Sequence, residues 1–219
     1  MMIVKRLALL AAGLLVATCA FAQMRAGKSE FYLFPTFTTG QTYAFEGGTT
    51  AQTDTGYGFG LGFAKNFTPN LAGGVEIVWG SSDYRSTVLP GPGNIGQPVS
   101  VRGTVDSSTV RFHGTYYLGN ADLAPFISGG LGWTYIDSNV PSGPPQGVCW
   151  WYPWWGQVCG SYVPTATTTK FSYNVALGLR QDLRNGMFLR GLVNNQWVDI
   201  ASSGTTSWTQ WRIDIGWRY

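Results

Sequence analysis

Bulky apolar residues alternate with small or polar ones along most of this chain, and this period of two constrains the fold more than any other feature. In residues 55–67 four large side chains alternate with four glycines; the large ones are Tyr57, Phe59, Leu61 and Phe63. Similar alternation recurs at 71–85, 107–118, 125–137, 169–181, 187–200 and 211–219. A period of two is typical of β-strands with two unlike faces, and no segment after residue 22 has the period of an amphipathic helix.

A further strand is predicted at about Glu30–Thr38, which brings the total to eight. Its facing is ambiguous, because either Phe31, Leu33 and Phe37 or Tyr32 and Phe34 could point outward, and Pro35 fits best near an edge or a bulge. The predicted strands have roughly 9–13 residues, which is the length that a tilted strand needs to cross a bilayer.

The predicted connections alternate in length. Residues 39–54, 86–106 and 138–168 form long loops rich in Gly, Pro, Ser and Thr, whereas 68–70, 119–124 and 183–186 are short turns. The connection near 201–206 is short although it falls on the long-loop side. Long loops outside the cell and tight turns on the periplasmic side are expected of an outer-membrane barrel.

Side-chain volume indicates which face points outward. The interior of an eight-stranded barrel is just wide enough to be filled by side chains, so the bulky apolar face does not fit there and must point outward. An apolar belt of that size is stable only in lipid. The sequence therefore predicts an all-β fold: an eight-stranded antiparallel up-and-down transmembrane β-barrel with long extracellular loops.

The positions of charged residues support the assignment of the bulky apolar face to the lipid. With that assignment, six charged residues lie inside the barrel and none lies on the lipid face within the strands. A Lys or Arg facing the bilayer midplane would cost about 2–4 kcal/mol. Inside a lumen, opposite charges should pair, which predicts an ion-pair plug; the alternative is a narrow polar channel. The predicted lumen charge network consists of Glu76, Arg111, Arg180, Arg190, Arg212 and Asp214.

The N-terminal residues predict a secretory signal peptide. Lys5 and Arg6 precede the apolar run 7–16, and small residues at Ala20 and Ala22 suit cleavage before Gln23. The predicted organisation is a cleaved signal at 1–22 and a barrel domain at 23–219. A lipid-attachment site at Cys19 is the alternative to this cleavage.

Composition excludes several classes of function. After cleavage the chain has 12 basic and 11 acidic residues, so it lacks the strong positive charge that is typical of nucleic-acid binding. Charged residues make up 11 % of the chain and aromatic ones 15 %, an unusual balance for a soluble protein. No mature segment is apolar for long enough to be a transmembrane helix, and a closed barrel is the other structure that satisfies every backbone group in lipid.

The glycine-alternating strand at 55–67 and the C-terminal segment resemble the outer-membrane β-barrel superfamily, which includes the OmpA-, OmpX- and opacity-type small barrels. The resemblance implies a multi-pass barrel in a Gram-negative outer membrane, with periplasmic termini and contact with membrane lipid and lipopolysaccharide. In this superfamily an aromatic C-terminal residue preceded by alternating apolar residues signals to the barrel-assembly machinery. The residues that match are Trp211, Ile213, Ile215, Trp217 and Tyr219.

Two cysteines remain in the mature chain, Cys149 and Cys159, and an even count in an oxidising compartment predicts a disulfide. It would stabilise the short loop by about 2–3 kcal/mol and hold a cluster of aromatic side chains. Such a cluster suits a surface-binding tip; the alternative is that the rings fold back onto the loops or rest at the lipopolysaccharide interface. The cluster comprises Trp150, Trp151, Tyr152, Trp154 and Trp155.

Catalytic signals are weak. His113 is the single histidine, and His113 with Thr115 faintly resembles the pair of lipid A deacylases, which have a serine at the second position. No metal, cofactor or phosphate-binding motif is present, and no cofactor is predicted. The leading hypothesis is a non-enzymatic surface protein whose loops contact a ligand or a host surface or support envelope integrity. A narrow pore or hydrophobic-compound channel is the alternative, and a lipid A-modifying enzyme is third.

Overall fold

Twelve β-strands make up the regular structure in a computed structural model, which describes residues 25–44, 50–88, 99–141, 146–154, 156–162, 165–200 and 204–219. The predicted signal peptide lies outside the described residues. None of the described residues forms a helix long and apolar enough to cross a membrane. The strands are β1 Ser29–Thr38, β2 Thr42–Ala44, β3 Thr50–Thr53, β4 Gly56–Asn66, β5 Leu71–Val88, β6 Val99–Tyr117, β7 Leu123–Pro141, β8 Gln146–Tyr152, β9 Gly156–Tyr162, β10 Thr165–Asp182, β11 Met187–Ile200 and β12 Gly204–Arg218.

Eight of these strands close into a barrel. Going round the wall, the order is β1, β4, β5, β6, β7, β10, β11 and β12, and β12 pairs with β1 to complete the ring. Each neighbouring pair is antiparallel. The predicted all-β, eight-stranded antiparallel barrel is confirmed. Short connections at 67–70, 118–122 and 183–186 lie at one end with Tyr219, here called the turn end, and the opposite end is the loop end.

The first strand places Tyr32 and Phe34 inside the barrel, which resolves the ambiguity of the sequence. Both rings are buried, whereas Leu33 is 46 % exposed on the outer wall. Glycines on the neighbouring strands make the space: a Cβ atom at Gly62 would come within 2.3 Å of the Tyr32 ring, and one at Gly60 within 2.4 Å of the Phe34 ring.

The lumen consequently holds more bulk than the volume argument allowed. Besides small and charged residues, it contains Tyr117, Phe126 and Phe188, all buried. The expectation that the inner face holds only small and charged residues is wrong at these positions, because the ring of one strand occupies the volume that a glycine leaves empty on the next. Phe188, for example, lies against Gly216, where a Cβ atom would meet its ring at 2.3 Å.

The outer wall is apolar between two aromatic levels. Phe59 stacks on Trp79 and Tyr173 on Trp197 toward the loop end, while Trp217 and Tyr219 lie at the turn end. Charges do occur at outward positions, contrary to the prediction, but in the described residues they lie toward the two ends of the barrel: Lys65 at the turn end, and Asp83, Arg85, Arg102, Asp106, Asp137 and Asp199 toward the loop end.

Several strands are longer than predicted. β6 and β7 have 19 residues each, or about 60 Å of chain, which at a tilt of about 40° covers about 45 Å of height. The apolar band of such a barrel is about 25 Å tall, so these strands continue about 20 Å beyond it. Parts of the predicted long loops are therefore strand: β2 and β3 lie within 39–54, the ends of β5 and β6 within 86–106, and β8 and β9 within 138–168.

Candidate functional sites

The centre of the lumen is occupied by an ion-pair cluster around Glu76 on β5. Arg111 on β6 donates from Nε to Glu76 Oε2 at 2.7 Å. Arg212 on β12 is bidentate, with Nη2 donating to Oε1 at 2.6 Å and Nη1 to Oε2 at 2.9 Å. Tyr32 completes the shell with a hydrogen bond from its hydroxyl to Oε1 at 2.8 Å. Because all four residues are at most 5 % exposed, one carboxylate organises two arginines away from solvent.

Asp214 extends the cluster across the lumen. It accepts from Arg212 Nε at 2.7 Å and from Arg190 Nε at 2.8 Å, and Arg190 is its direct cross-strand neighbour on β11. Aromatic faces cover the guanidinium groups: Arg190 lies 4.1 Å from the centroid of the Tyr32 ring, and Arg212 lies 3.7 Å from that of Phe34. Cation–π contacts of this kind strengthen when water is excluded.

A second cluster lies closer to the turn end. Arg180 on β10 donates from both terminal nitrogens to Glu30 at 2.7 and 2.9 Å, and from Nε to Asp182 at 2.9 Å. Tyr117 accepts from Arg180 at 2.8 Å, and Arg25, just before β1, donates to Asp182 at 2.7 Å. These bonds link strands across the lumen at the end opposite the long loops.

Sequence reasoning missed four charged members of this second cluster: Arg25, Glu30, Asp182 and Arg218, whose Nη1 lies 3.3 Å from Asp182 Oδ1. The signal for Glu30 was available, since it shares its face with Tyr32 and Phe34, but that face had not been assigned. Asp182 has the alternation phase of Arg180, two residues earlier on β10. The six charged residues that the sequence named all lie inside the barrel, five in the central cluster and Arg180 in the second.

Neutral polar side chains fill the lumen toward the loop end. Asn174 donates to Asn194 at 2.7 Å, Asn194 to Gln210 at 3.0 Å, and Gln210 to Thr38 at 3.4 Å. A second group joins the hydroxyls of Thr109, Thr134 and Ser172, and Gln196 donates to Thr134 at 3.0 Å. The lumen is thus cross-linked by hydrogen bonds along most of its height.

His113 belongs to the same network. Tyr32 uses its single hydroxyl hydrogen on Glu76, so the 3.2 Å contact between Tyr32 Oη and His113 Nε2 requires the histidine nitrogen to donate. Thr115 donates a hydrogen bond to Ser128 at 3.0 Å. His113 and Thr115, the two residues of the weak catalytic motif, therefore have different hydrogen-bond partners. The adjoining cavity is about 10 Å³, about the space of one water molecule.

Beyond the loop end, β8 and β9 form a separate two-stranded hairpin. Cys149 and Cys159 are direct cross-strand partners and form a disulfide with a Cα–Cα distance of 4.0 Å, as predicted. Trp151 is 76 % exposed and Trp154 is 86 % exposed, the two highest values among the large apolar residues that the structure describes. The side chains of Trp150 and Tyr152, and the whole of Trp155, lie outside the described residues.

The last strand presents its bulky residues on the outer wall. Trp211, Ile213, Ile215, Trp217 and Tyr219 are between 42 and 65 % exposed, and the alternate residues Arg212 and Asp214 point inward. Within the described ranges, no group of three or more His, Cys, Asp or Glu side chains is arranged to hold a metal ion.

Comparisons with known proteins agree with this architecture. The family model described as outer membrane protein beta-barrel domain matches residues 8–219. The fold is similar to that of the outer membrane protein OprG from Pseudomonas aeruginosa, with 16 % identity, a TM-score of 0.51 and coverage of 91 % of this chain and 99 % of OprG. It is also similar to Neisserial surface protein A, with 9 % identity, a TM-score of 0.50 and coverage of 86 % and 97 %.

No curated protein sequence is significantly similar to this chain. At identities this low, the two structural similarities concern the fold alone. The family match covers nearly the whole chain and agrees with the closed ring of eight strands, the apolar outer wall and the charged interior. The chain therefore belongs to the outer membrane protein beta-barrel domain family and is a small outer-membrane β-barrel protein.

Proposed function

We propose that this protein is a non-enzymatic surface scaffold whose rigid barrel holds loops for contact with a ligand or a host surface or for envelope integrity. The observation that carries the proposal is the cross-linked lumen. Two buried ion-pair clusters and a ladder of amide and hydroxyl groups join its walls, which favours a filled interior over an open pore. When the interior is filled, the loops remain as the part that can act.

The proposal includes an orientation. The turn end and both termini face the periplasm, and the extended strands with the β8–β9 hairpin face outward. The outer wall then contacts membrane lipid and the lipid part of lipopolysaccharide, while the outward residues of β12 engage the barrel-assembly machinery during insertion. Residues 1–22 act as the signal for export and are removed.

The absence of catalysis is part of the same proposal. His113 points into the lumen, is 8 % exposed and contacts Tyr32, so a lipid substrate on the outer wall has no access to its ring. His113→Ala should leave the lipid A mass spectrum of the cells unchanged. A shifted lipid A mass that depends on His113 would establish the enzymatic alternative instead.

Two measurements test the scaffold. Purified protein in planar bilayers should give no discrete current steps, and steps from the intact barrel would overturn the proposal in favour of a pore. In cells, replacement of residues 146–162 by a short Gly-Ser linker should abolish surface contact while leaving the amount of barrel in the outer membrane unchanged. An unchanged contact phenotype would show that the hairpin is not the functional part.

A second candidate rests on one feature of the outer wall. A groove of about 540 Å³ runs over the backbone of β6, β7 and β10, where Gly114 and Gly129 form a cross-strand pair without side chains. A hydrophobic compound that left the lumen through the barrel wall would have to cross the wall at a site like this glycine pair. A Cβ atom at Gly114 meets nothing within 4 Å, so Gly114→Phe should fill the groove without disturbing the wall. Reduced uptake of a hydrophobic compound in that variant would support this channel.

A further inference from the structure

The β8–β9 hairpin has one face that is exposed along its whole length. On β8 the exposed positions are Gly147, Cys149 and Trp151, and directly opposite them on β9 are Ser161, Cys159 and Gln157. The alternate positions Gly156, Val158 and Gly160 are only partly exposed. The disulfide joins the two strands in the middle of the exposed face and so stabilises the register in which Trp151 pairs with Gln157.

The hairpin and its flanks carry no charge. Residues 138–168 contain no Asp, Glu, Lys, Arg or His, although they hold four of the ten tryptophans of the chain. Arginine and lysine are the side chains that bind phosphate, sulfate and carboxylate groups most strongly, and this segment has neither. The composition therefore favours a neutral partner.

The area of the exposed hairpin face indicates whether its partner is a small ligand or a protein. Two strands of seven residues give a platform about 23 Å long and about 10 Å wide, which is roughly a quarter of the 800 Å² that each side of a stable protein interface buries. A flat patch of this area matches a few linked rings of a small ligand.

Trp151 and Gln157, at one end of this platform, have the side-chain chemistry that binding of a neutral sugar requires. A sugar ring has a face of C–H bonds, which can pack on an indole, and a rim of hydroxyl groups, which pair with an amide that both donates and accepts. Trp151 supplies the exposed ring, and Gln157 supplies the amide directly across the strand pair. A lipid surface would use the rings but would leave this amide without a role.

From these observations we infer that the exposed face of the β8–β9 hairpin binds a neutral carbohydrate, with Trp151 stacking on a sugar ring and Gln157 bonding its hydroxyls. The inference rests on the proposed function, since it names the partner class of the displayed loop. Trp154, at the hairpin turn, is 86 % exposed and is a second aromatic ring available to a ligand at this end.

The test uses the whole mature protein in phosphatidylcholine nanodiscs, because maltoside detergents would compete as sugars. Binding of maltohexaose, cellohexaose and chitohexaose is measured by calorimetry, with a heparin hexasaccharide as the acidic probe and phosphatidylcholine vesicles as the lipid probe. We expect at least one neutral hexasaccharide to bind. Trp151→Ala should weaken it about tenfold or more, Gln157→Ala by a few-fold, and Trp151→Phe should retain most of the affinity.

Arg102→Ala is the matched control, since Arg102 is also exposed at the loop end and should not affect a neutral ligand. Folding of each variant is checked by its heat-modifiable gel mobility. The inference is overturned if no neutral hexasaccharide binds, if Trp151→Ala leaves binding unchanged, or if heparin or the vesicles bind in its place. If removal of the hairpin abolishes surface contact while no hexasaccharide binds, the carbohydrate inference fails and the proposed scaffold function stands. Discrete currents from the intact barrel would refute the scaffold function itself.

Discussion

Replacement of Glu76 by glutamine should remove a large part of the stability of the barrel, because a single carboxylate neutralises two buried arginines. Arg212 keeps Asp214 as a second partner, at 2.7 Å. Arg111 does not: among the described carboxylates only Glu76 lies within 4.0 Å of its guanidinium group. The glutamine would therefore leave Arg111 charged, 3 % exposed and without a counterion.

The size of the effect follows from this arrangement. Removing one partner of a buried ion pair costs about 3–5 kcal/mol, because the remaining charge has lost its solvation without compensation. The amide also places an N–H₂ group among donors from Tyr32, Arg111 and Arg212. We therefore expect Glu76→Gln to lower the free energy of unfolding by about 3–5 kcal/mol. The double variant Glu76→Gln/Arg111→Met removes both charges and should recover about 2 kcal/mol of that loss.

Reversible urea unfolding in phospholipid vesicles, followed by tryptophan fluorescence, measures the free energy of unfolding of the single variant and of the double variant. Asp83→Asn is the control: Asp83 is exposed and accepts a hydrogen bond from Thr104, so its replacement should cost less than about 0.5 kcal/mol. A loss below about 1 kcal/mol for Glu76→Gln would refute the reasoning, since a buried unpaired arginine costs more. A double variant no more stable than the single one would refute it as well.

Three further predictions concern the wall, the lumen and the hairpin. Leu177→Arg, at an outward position that is 61 % exposed, should destabilise the barrel by about 2–4 kcal/mol in the same unfolding assay, because Leu177 lies five residues from the turn end of β10, near the mid-height of an apolar band about 25 Å tall. Gly62→Ala should cost about 1–3 kcal/mol, because its Cβ would lie 2.3 Å from the Tyr32 ring and force it to move. Thiol labelling of the unreduced protein should modify neither Cys149 nor Cys159, and reduction should expose both.

Each of these has its own check. Gln181→Arg lies on the same strand as Leu177 but at the turn end, so a cost above about 1 kcal/mol there would contradict the depth dependence. Gly114→Ala adds the same methyl group as Gly62→Ala where nothing lies within 4 Å, and a similar loss at both sites would rule out the steric explanation. Labelling of either cysteine before reduction would exclude the disulfide.

The sequence predicted the barrel because seven of its strands sort their residues into two clearly different faces. It did not decide the facing of β1, where aromatic residues occur on both faces. That choice depends on Gly60, Gly62 and Gly216, which lie on β4 and β12 and become neighbours of β1 only after the ring has closed. Glu30 was missed for the same reason, and with it the carboxylate that Arg180 binds.

The extensions of β5 and β6 escaped prediction for a different reason. Above the apolar band neither face of a strand meets lipid, so the pattern of the lipid-facing segments does not continue there. Residues 99–106 still alternate, but their apolar residues fall at odd positions whereas those of 107–118 fall at even ones, and this change of phase made the extension read as loop. The hairpin was only partly predictable. The two cysteines and the tryptophans were evident, but the cross-strand partner of Trp151 requires the register that the structure supplies.

The unequal strand lengths give the molecule a tall side and a low side. β5, β6, β7 and β10 are consecutive in the wall and have 18 or 19 residues each, and β3 extends the wall beside β5 beyond the end of β4. On the other side β11, β12 and β1 have 14, 15 and 10 residues. The hairpin follows β7 and precedes β10, so it rises from the tall side. In the part of the chain that the structure describes, a large object approaching along the plane of the membrane passes three shorter strands from one direction and the extended strands from the other. Access to the hairpin thus depends on how the barrel is rotated about its axis among its neighbours in a crowded membrane.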